Sequence, residues 1–302
     1  MGDWGRQWLA AQTQLKPTTH ERYRGLLARQ VLPTWERVPL LLVTYSAVVT
    51  WVSGLTGSGL SGSTVRRAHR VLSMVLASAV LDGRVPRNAA TGVRLPRVAT
   101  SDKRFLSHEQ VADLAEAAGA PFDTVVLVLA YTGLRWGELA ALRVGDVDLA
   151  CGRLSVQRSM TEVSGRAIIG TPKNHQRCIV PVPAFVLARL EEQVRGRAGE
   201  DFAFLSRRGA VLRNGNFRSQ VFDAAAARAG LPGLTPHELR HTAASLAVAA
   251  GGNIKAVQRM LGHASAAMTL DVYAGLFGDD LDDLARRLDE AARKGRCGPG
   301  AD

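Results

Sequence analysis

The chain has 302 residues, 46% of them apolar and 22% charged, with no low-complexity tract and no evident repeat. That length suits two packed units, and no apolar run approaches the roughly 18 residues needed to span a bilayer. The formal charge of +11 fits a polyanionic partner, but it is unevenly placed. Residues 1–98 hold 13 Lys+Arg against 4 Asp+Glu, whereas residues 99–302 hold 25 against 23. The first third is therefore expected to grip phosphate and the remainder to act more selectively. The opening MGDWGRQW carries an early acid and no apolar h-region, so no signal peptide is expected. Cys151, Cys178 and Cys297 are odd in number and lack metal-type or redox-type spacing, so they read as reduced and incidental in a cytoplasmic protein without membrane partners.

Taken in chain order, Thr18 or Thr19 can cap a helix through Arg29 that ends near Pro33, and Thr44 can cap another that stops at Gly54. Ser63–Asp82 is the clearest helix. It sets Val65, His69, Leu72, Val75, Leu76 and Ala79 on one face, turns Arg66, Arg67 and Arg70 away, and is followed by Gly83 as a C-terminal cap. Such a helix can lie along a DNA backbone or simply present a solvated basic face. The stretch VPRNAATGVRLPRVATSDK, from Val85 to Lys103, has two prolines and no apolar periodicity, and is read as the linker between a unit at 1–98 and one at 104–302.

In the second unit, Ser107 with Gln110 forms a capping-box signature for a helix through Ala118, and Pro121 opens an apolar helix reaching about Thr132, broken by Gly133. From Arg153 to Val182 the runs LSVQRSM, RAIIG and RCIVPVP, separated by SG and TPKN turn signals, predict a three-stranded antiparallel sheet. Helices return at Ala184–Arg195, Asn216–Ala229, Pro236–Ala250 and Ile254–Leu261, and Asp279–Arg293 is amphipathic through Leu281, Leu284, Ala285 and Leu288. The fold class is mainly α: a helical N-terminal domain and a mixed α+β domain with one small antiparallel sheet.

Four segments carry groups suited to phosphoryl transfer: TGLRWGEL at 132–139, TPKN at 171–174, PHELRH at 236–241, and LGH at 261–263 followed by Tyr273. Each alone is weak. His237 and Arg240, three apart at a helix start opened by Thr235 and Pro236, project from one face in the first turn. They can present a proton-transfer group and a bidentate cation to one phosphate, near a helix end that favours anions.

The order Arg135, Lys173, His237, Arg240, His263, Tyr273 resembles the catalytic set of the tyrosine recombinase and phage integrase family. The resemblance extends into HTAASLAVAAG and TLDVYAGLF, and the TTHERYRGLL segment containing Arg22 is similar to that family's core-binding domain. It implies a site-specific DNA recombinase, integrating or excising a mobile element, in which Tyr273 attacks a DNA phosphate to give a 3′-phosphotyrosyl intermediate. Arg135 and Arg240 would neutralise the transition state and His263 would add a donor. Lys173 would act as acid, and His237 would exchange the tyrosine proton. Neither metal nor cofactor nor ATP is needed.

The implied partners are double-stranded DNA with specific recombination sites, a homotetramer on that DNA, and accessory bending or directionality factors. In DNA binding, Arg22, Arg66, Arg67 and Arg70 would contact phosphate. Glu138 either orients Arg135 or forms a surface pair, and the C-terminal helix packs on a neighbouring protomer or on its own domain. About 16 residues precede the core-binding pattern, too few for the arm-binding domain of larger phage integrases.

Three other readings compete. HELRH at 237–241 also fits the H-E-x-x-H zinc pattern, but with no glutamate between Glu238 and Glu290 a third ligand would have to be His263. A recombinase fold that only binds DNA would not require all six chemical positions. A type IB topoisomerase shares the nucleophile, but the length and the helical first unit favour a recombinase.

Overall fold

The computed structural model describes residues 1–98, 104–172 and 178–262, with helical positions at 286, 288, 289, 292 and 293. The TPKN turn from Lys173 onward, His263, Tyr273, the end of the linker and most of the 279–293 helix lie outside the described residues. The chain divides into two compact units. One is 1–102 with 162–166, and the other is 103–161 with 167–302. Each has its own buried core, and the fold is mainly α with small antiparallel sheets. No helix among the described residues is long and apolar enough to cross a membrane.

The first unit is built of α1 (Gly2–Ala10), α2 (Pro17–Leu26), α3 (Leu32–Trp35), α4 (Tyr45–Gly57) and α5 (Gly62–Leu81). Its helices differ from expectation at their ends. α2 starts at Pro17, whose missing N–H costs nothing in a first turn. The path then runs through a π turn, Leu27–Val31, straight into α3 with Pro33 in its first turn. The widened turn relieves the clash that a proline makes with the carbonyl four residues back, so Pro33 does not end the helix.

Thr44 caps α4 as expected, accepting from the Ala47 N–H at 3.3 Å, but α4 continues past Gly54 to Gly57. α5 begins at Gly62, one residue before the expected Ser63, and Ser61 caps it. At the other end, Gly83 at φ +69° lets the Arg84 and Gly83 N–H groups bond the Ala79 and Val80 carbonyls.

The stretch after α5 has no helix or strand, yet up to residue 97 it is laid along that helix. Asn88 Nδ2 donates to the Ser73 carbonyl at 2.9 Å, His69 Nε2 meets the Ala90 carbonyl at 3.0 Å, and Arg66 Nε donates to the Pro96 carbonyl at 2.8 Å. A Cβ on Gly62 would stand 2.4 Å from the Arg97 carbonyl oxygen, so only glycine admits this approach.

The second unit holds α6 (His108–Ala118), with the Ser107–Gln110 capping box formed, then α7 (Phe122–Thr132) and α8 (Trp136–Ala140). The strands are β1 (Val147–Asp148), β2 (Arg153–Val156), β3 (Ser159–Val163), β4 (Arg166–Gly170) and β5 (Cys178–Pro181). The expected single three-stranded sheet is in fact two sheets. LSVQRSM breaks into β2 and β3, so β1–β2–β5 form one antiparallel sheet and β3–β4 a separate hairpin. The SG signal is its turn, with Ser164 and Gly165 both at positive φ, the conformation a two-residue hairpin demands.

The break is pinned by Arg158, which grips both oxygens of buried Asp146 at 2.7 and 2.6 Å. Then come α9 (Ala184–Val194), α10 (Asn214–Phe217), a π turn over Arg218–Phe222, α11 (Asp223–Arg228), α12 (Pro236–Ala249) and α13 (Ile254–Leu261). The helix expected at Asn216–Ala229 thus starts two residues earlier and is bulged.

Phe217 is the centre of this core. Its ring lies 4.9 Å from Trp136, 5.6 Å from Phe222 and 5.8 Å from Phe122. Replacing it empties a site that cannot collapse easily. Phe217→Ala is expected to lower unfolding stability by about 3–5 kcal/mol, read by urea denaturation; a loss below about 1 kcal/mol would mean that the aromatic cluster is not what holds α8 to this core.

Candidate functional site

Gly133 ends α7 in the left-handed region at φ +66°, where a side chain would be strained. Space forbids one as well, since a Cβ would lie 2.6 Å from Leu261 Cδ2 and 3.3 Å from the Ala243 methyl. Gly262, at φ +58°, ends α13 in the same way. Two helix C-termini therefore turn sharply beside α12.

Arg240, three residues into α12 from His237, is 5% exposed. Its Nη1 donates to the Gly133 carbonyl and its Nη2 to the Leu261 carbonyl. Burying a guanidinium is costly unless oxygens replace its water. Here two helix C-terminal carbonyls do so, at the end of each helix dipole that favours a cation.

Arg135 caps α8. The Glu138 carboxylate holds it twice, accepting the Arg135 backbone N–H at 2.9 Å and its Nη1 at 2.7 Å. Glu138 is buried and Arg135 partly exposed, so the pair is an orienting clamp and not a surface ion pair. Arg135 Nη2 also reaches the Gly262 carbonyl, at 3.5 Å. Both arginines thus converge on the turn that closes α13, with His263 next in the chain. A Cβ on Gly137 would be 2.4 Å from the Met160 carbonyl, so β3 packs directly on the helix that Arg135 caps.

His237 is exposed in the first turn of α12, and the Arg240 and Arg135 charges both act on it. Desolvation first, then these two cations, hold its imidazole below the ordinary 6.5, against a smaller opposing effect of Glu238. Its neighbour Glu238 is fully employed. One carboxylate oxygen accepts the Thr235 N–H at 2.7 Å and hydroxyl at 2.9 Å, while the other accepts from Arg104 Nε at 3.2 Å. Burial opposes its ionisation, but these hydrogen bonds outweigh that and hold the carboxyl below its usual range.

The His237 and His241 rings lie 5.2 Å apart on one face of α12, as H-E-x-x-H spacing requires. The glutamate that would serve as general base is instead a helix cap and an ion-pair partner. No three His, Cys, Asp or Glu side chains gather for a metal among the described residues.

Of the six positions named from sequence, the structure brings together Arg135, His237 and Arg240, while Lys173, His263 and Tyr273 lie outside the described residues. In the first unit Arg22, Arg66, Arg67 and Arg70 are all exposed. Sequence reasoning missed three contributors to the site. Gly133 supplies a carbonyl to Arg240, Arg104 holds Glu238, and Cys178 at the start of β5 senses the site's charges. Burial, then Glu138, pushes the Cys178 thiol up against the opposing pull of Arg135 and Arg240. Only Gly133 left a sequence signal, as a helix breaker.

Because its folded-state value is depressed, His237 is neutral at pH 7, and the penalty for charging it enters as pH falls below the unfolded value near 6.5. An NMR titration of the His237 ring is expected to show a midpoint below 6.5 that rises in Arg240→Gln. A midpoint at or above 6.5 would remove the electrostatic coupling described here.

Comparison with known proteins agrees with this geometry. Residues 104–277 match the family model described as the phage integrase family, a stretch containing all six positions. The integrase of Mycobacterium phage D29 is 27% identical over 299 residues, covering 96% of this chain and 78% of that protein. The tyrosine recombinase XerC of Shewanella amazonensis is 28% identical, covering 96% and 95%.

Among solved structures, the Tn1549 transposon integrase with transposon right end DNA superposes at a TM-score of 0.80, with 22% identity and coverage of 96% and 98%. A lambda integrase dimer bound to a core site gives 0.70, with 20% identity and coverage of 90% and 94%. These two likenesses are of fold. The family match spans more than half of the sequence, and the chain belongs to the phage integrase family, as a tyrosine-type site-specific recombinase.

Proposed function

We propose that this recombinase cuts and rejoins DNA through Tyr273, with Arg135, Lys173, His237, Arg240 and His263 completing a metal-free phosphate site. The observation that carries the reading is the convergence of two oriented guanidiniums and a neutral imidazole at the α12 N-terminus. Attack on a phosphodiester adds negative charge to its non-bridging oxygens. Arg135, fixed by Glu138, and Arg240, fixed by two carbonyls, supply positive charge that need not reorganise as the reaction proceeds. The α12 N-terminus adds its own partial positive charge.

In the forward step the Tyr273 oxygen bonds to phosphorus and the bond to the 5′ oxygen breaks. The tyrosine proton passes to His237, whose lowered basicity still leaves it unprotonated and able to accept. Lys173 gives a proton to the leaving 5′ oxygen, and His263 donates to a non-bridging oxygen. The resulting 3′-phosphotyrosyl bond keeps the phosphodiester's energy, so a 5′ hydroxyl from a second strand can reverse the step onto a new partner.

Under this reading the partner is double-stranded DNA carrying recombination sites. The first unit, 1–98, grips the backbone through Arg22, Arg66, Arg67 and Arg70, and 104–302 carries the chemistry. Four protomers assemble on two duplexes, accessory bending or directionality factors set the outcome, and the enzyme works in the cytoplasm. Relatives solved on transposon-end and core-site DNA support the choice of partner. The exposure of all four arginines supports their role.

Two measurements test it. Tyr273→Phe is expected to abolish covalent protein–DNA adduct on a nicked suicide substrate, in EDTA as well as without it, while leaving DNA affinity within about threefold; an adduct persisting in the variant would reject Tyr273 as nucleophile. Joint replacement of Arg66, Arg67 and Arg70 by Gln should flatten the dependence of log affinity on log salt by about 0.9 for each phosphate that is no longer neutralised, and an unchanged slope would assign the three to solvent.

A further inference from the structure

Glu238 poses a problem for a phosphate site. It is an acid in the first turn of α12, between His237 and Arg240 in the chain. A carboxylate there opposes negative charge developing on a phosphate and favours the protonated form of a neighbouring imidazole. Arg104 answers it. Its Nε donates to Glu238 Oε1 at 3.2 Å and its Nη1 to the Pro232 carbonyl at 2.9 Å. The two contacts fall on opposite sides of Thr235, the residue that caps α12. The next two residues continue along the same helix. The Leu106 N–H donates to the Thr242 hydroxyl at 3.2 Å, and Phe105 packs on Ala244, Val257 and Leu261. Residues 104–106 thus run as a splint from the cap beside His237 to the end of α13, whose Leu261 carbonyl receives Arg240.

We propose that Arg104 is a positioning residue for His237: it holds the Glu238 carboxylate on the α12 cap and offsets its charge beside the reacting phosphate. The inference rests on the reading that His237 takes the tyrosine proton, and it adds a residue that acts on His237 through another. Helix stability does not call for this cation. The Thr235–Glu238 capping box is complete without it. A pair whose arginine side chain is 39% exposed also contributes little to folding. What Arg104 changes is charge. Without it, Glu238 Oε1 loses that donor, and the acid's pull on the imidazole and its repulsion of the developing phosphate charge are no longer offset. The other charged or titratable groups acting on His237 among the described residues are Arg240 and His241 on α12 and Arg135 at the start of α8.

The test compares Arg104→Gln, Arg104→Lys and the double variant Arg104→Gln/Glu238→Gln, each checked for wild-type circular dichroism. Two readouts are taken: NMR titration of the His237 ring, and the rate of adduct formation on a nicked suicide substrate. In Arg104→Gln the ring midpoint should rise, and the acid limb of the rate profile should move to higher pH with it. The adduct rate should fall by about tenfold while DNA affinity stays within about threefold. Arg104→Lys keeps the cation and should stay near wild type in both readouts. In the double variant the acid is gone but glutamine still caps, so the midpoint should return to the wild-type value or below and most of the rate should recover.

Three outcomes would overturn the inference: an unmoved midpoint in Arg104→Gln, a loss in Arg104→Lys equal to that in Arg104→Gln, or a double variant as slow as the single one. Absence of any wild-type adduct would instead sink the recombination chemistry, and the ring titration is read independently of it.

Discussion

The buried guanidinium of Arg240 is the contact on which the second unit's site depends. A cation 5% exposed must be given oxygens, and among the described residues it takes the carbonyls of Gly133 and Leu261. This fixes more than one side chain. The end of α7 and the end of α13 are tied to α12, and each tie lies two residues before another position of the set, Arg135 and His263. A single desolvated charge therefore sets the register of three chain segments. Leaving such a charge without acceptors would cost about 3–5 kcal/mol, which is why the arrangement is specific and not merely permitted.

Glycine makes this geometry available. α7 and α13 each end in the left-handed region, at Gly133 and Gly262, so their last carbonyls swing inward instead of continuing along the helix axis. At Gly133 the Leu261 methyl and Ala243 fill the space a side chain would need. The same close packing recurs at Gly137, where the β3 backbone replaces a side chain. Desolvation first, and then the charges of Arg240 and Arg135, lower the basicity of His237, so its depressed value follows from where it sits.

Much of this was legible in the sequence, for identifiable reasons. Capping is local, so Ser107 with Gln110, Thr44 and Gly133 could be read directly. Ends governed by packing could not. Pro33 looked like a stop because the π turn that accommodates it has no sequence signature, and the helix begun by Pro17 is capped by no side chain. The strand runs were visible, but the split into two sheets depends on Arg158 reaching Asp146, twelve residues away. Arg104 and Glu238 are 134 residues apart, beyond any spacing rule. Lys173, His263 and Tyr273 were legible only through their order along the chain and lie outside the described residues.

The first unit separates its surface by charge. Exposed arginines stand on α2 and α5, and the residues from Val38 to Val65 carry none. On the chemistry proposed here, one phosphodiester is exchanged for a phosphotyrosyl bond and then for another phosphodiester, so bond energy gives the reaction no direction. Any bias must come from binding, since a ligand or contact shifts an equilibrium only by its different affinity for the two states. Phosphate contacts are poorly suited to that task, because every duplex presents them alike. On this reading Arg22, Arg66, Arg67 and Arg70 hold DNA without favouring either direction of exchange.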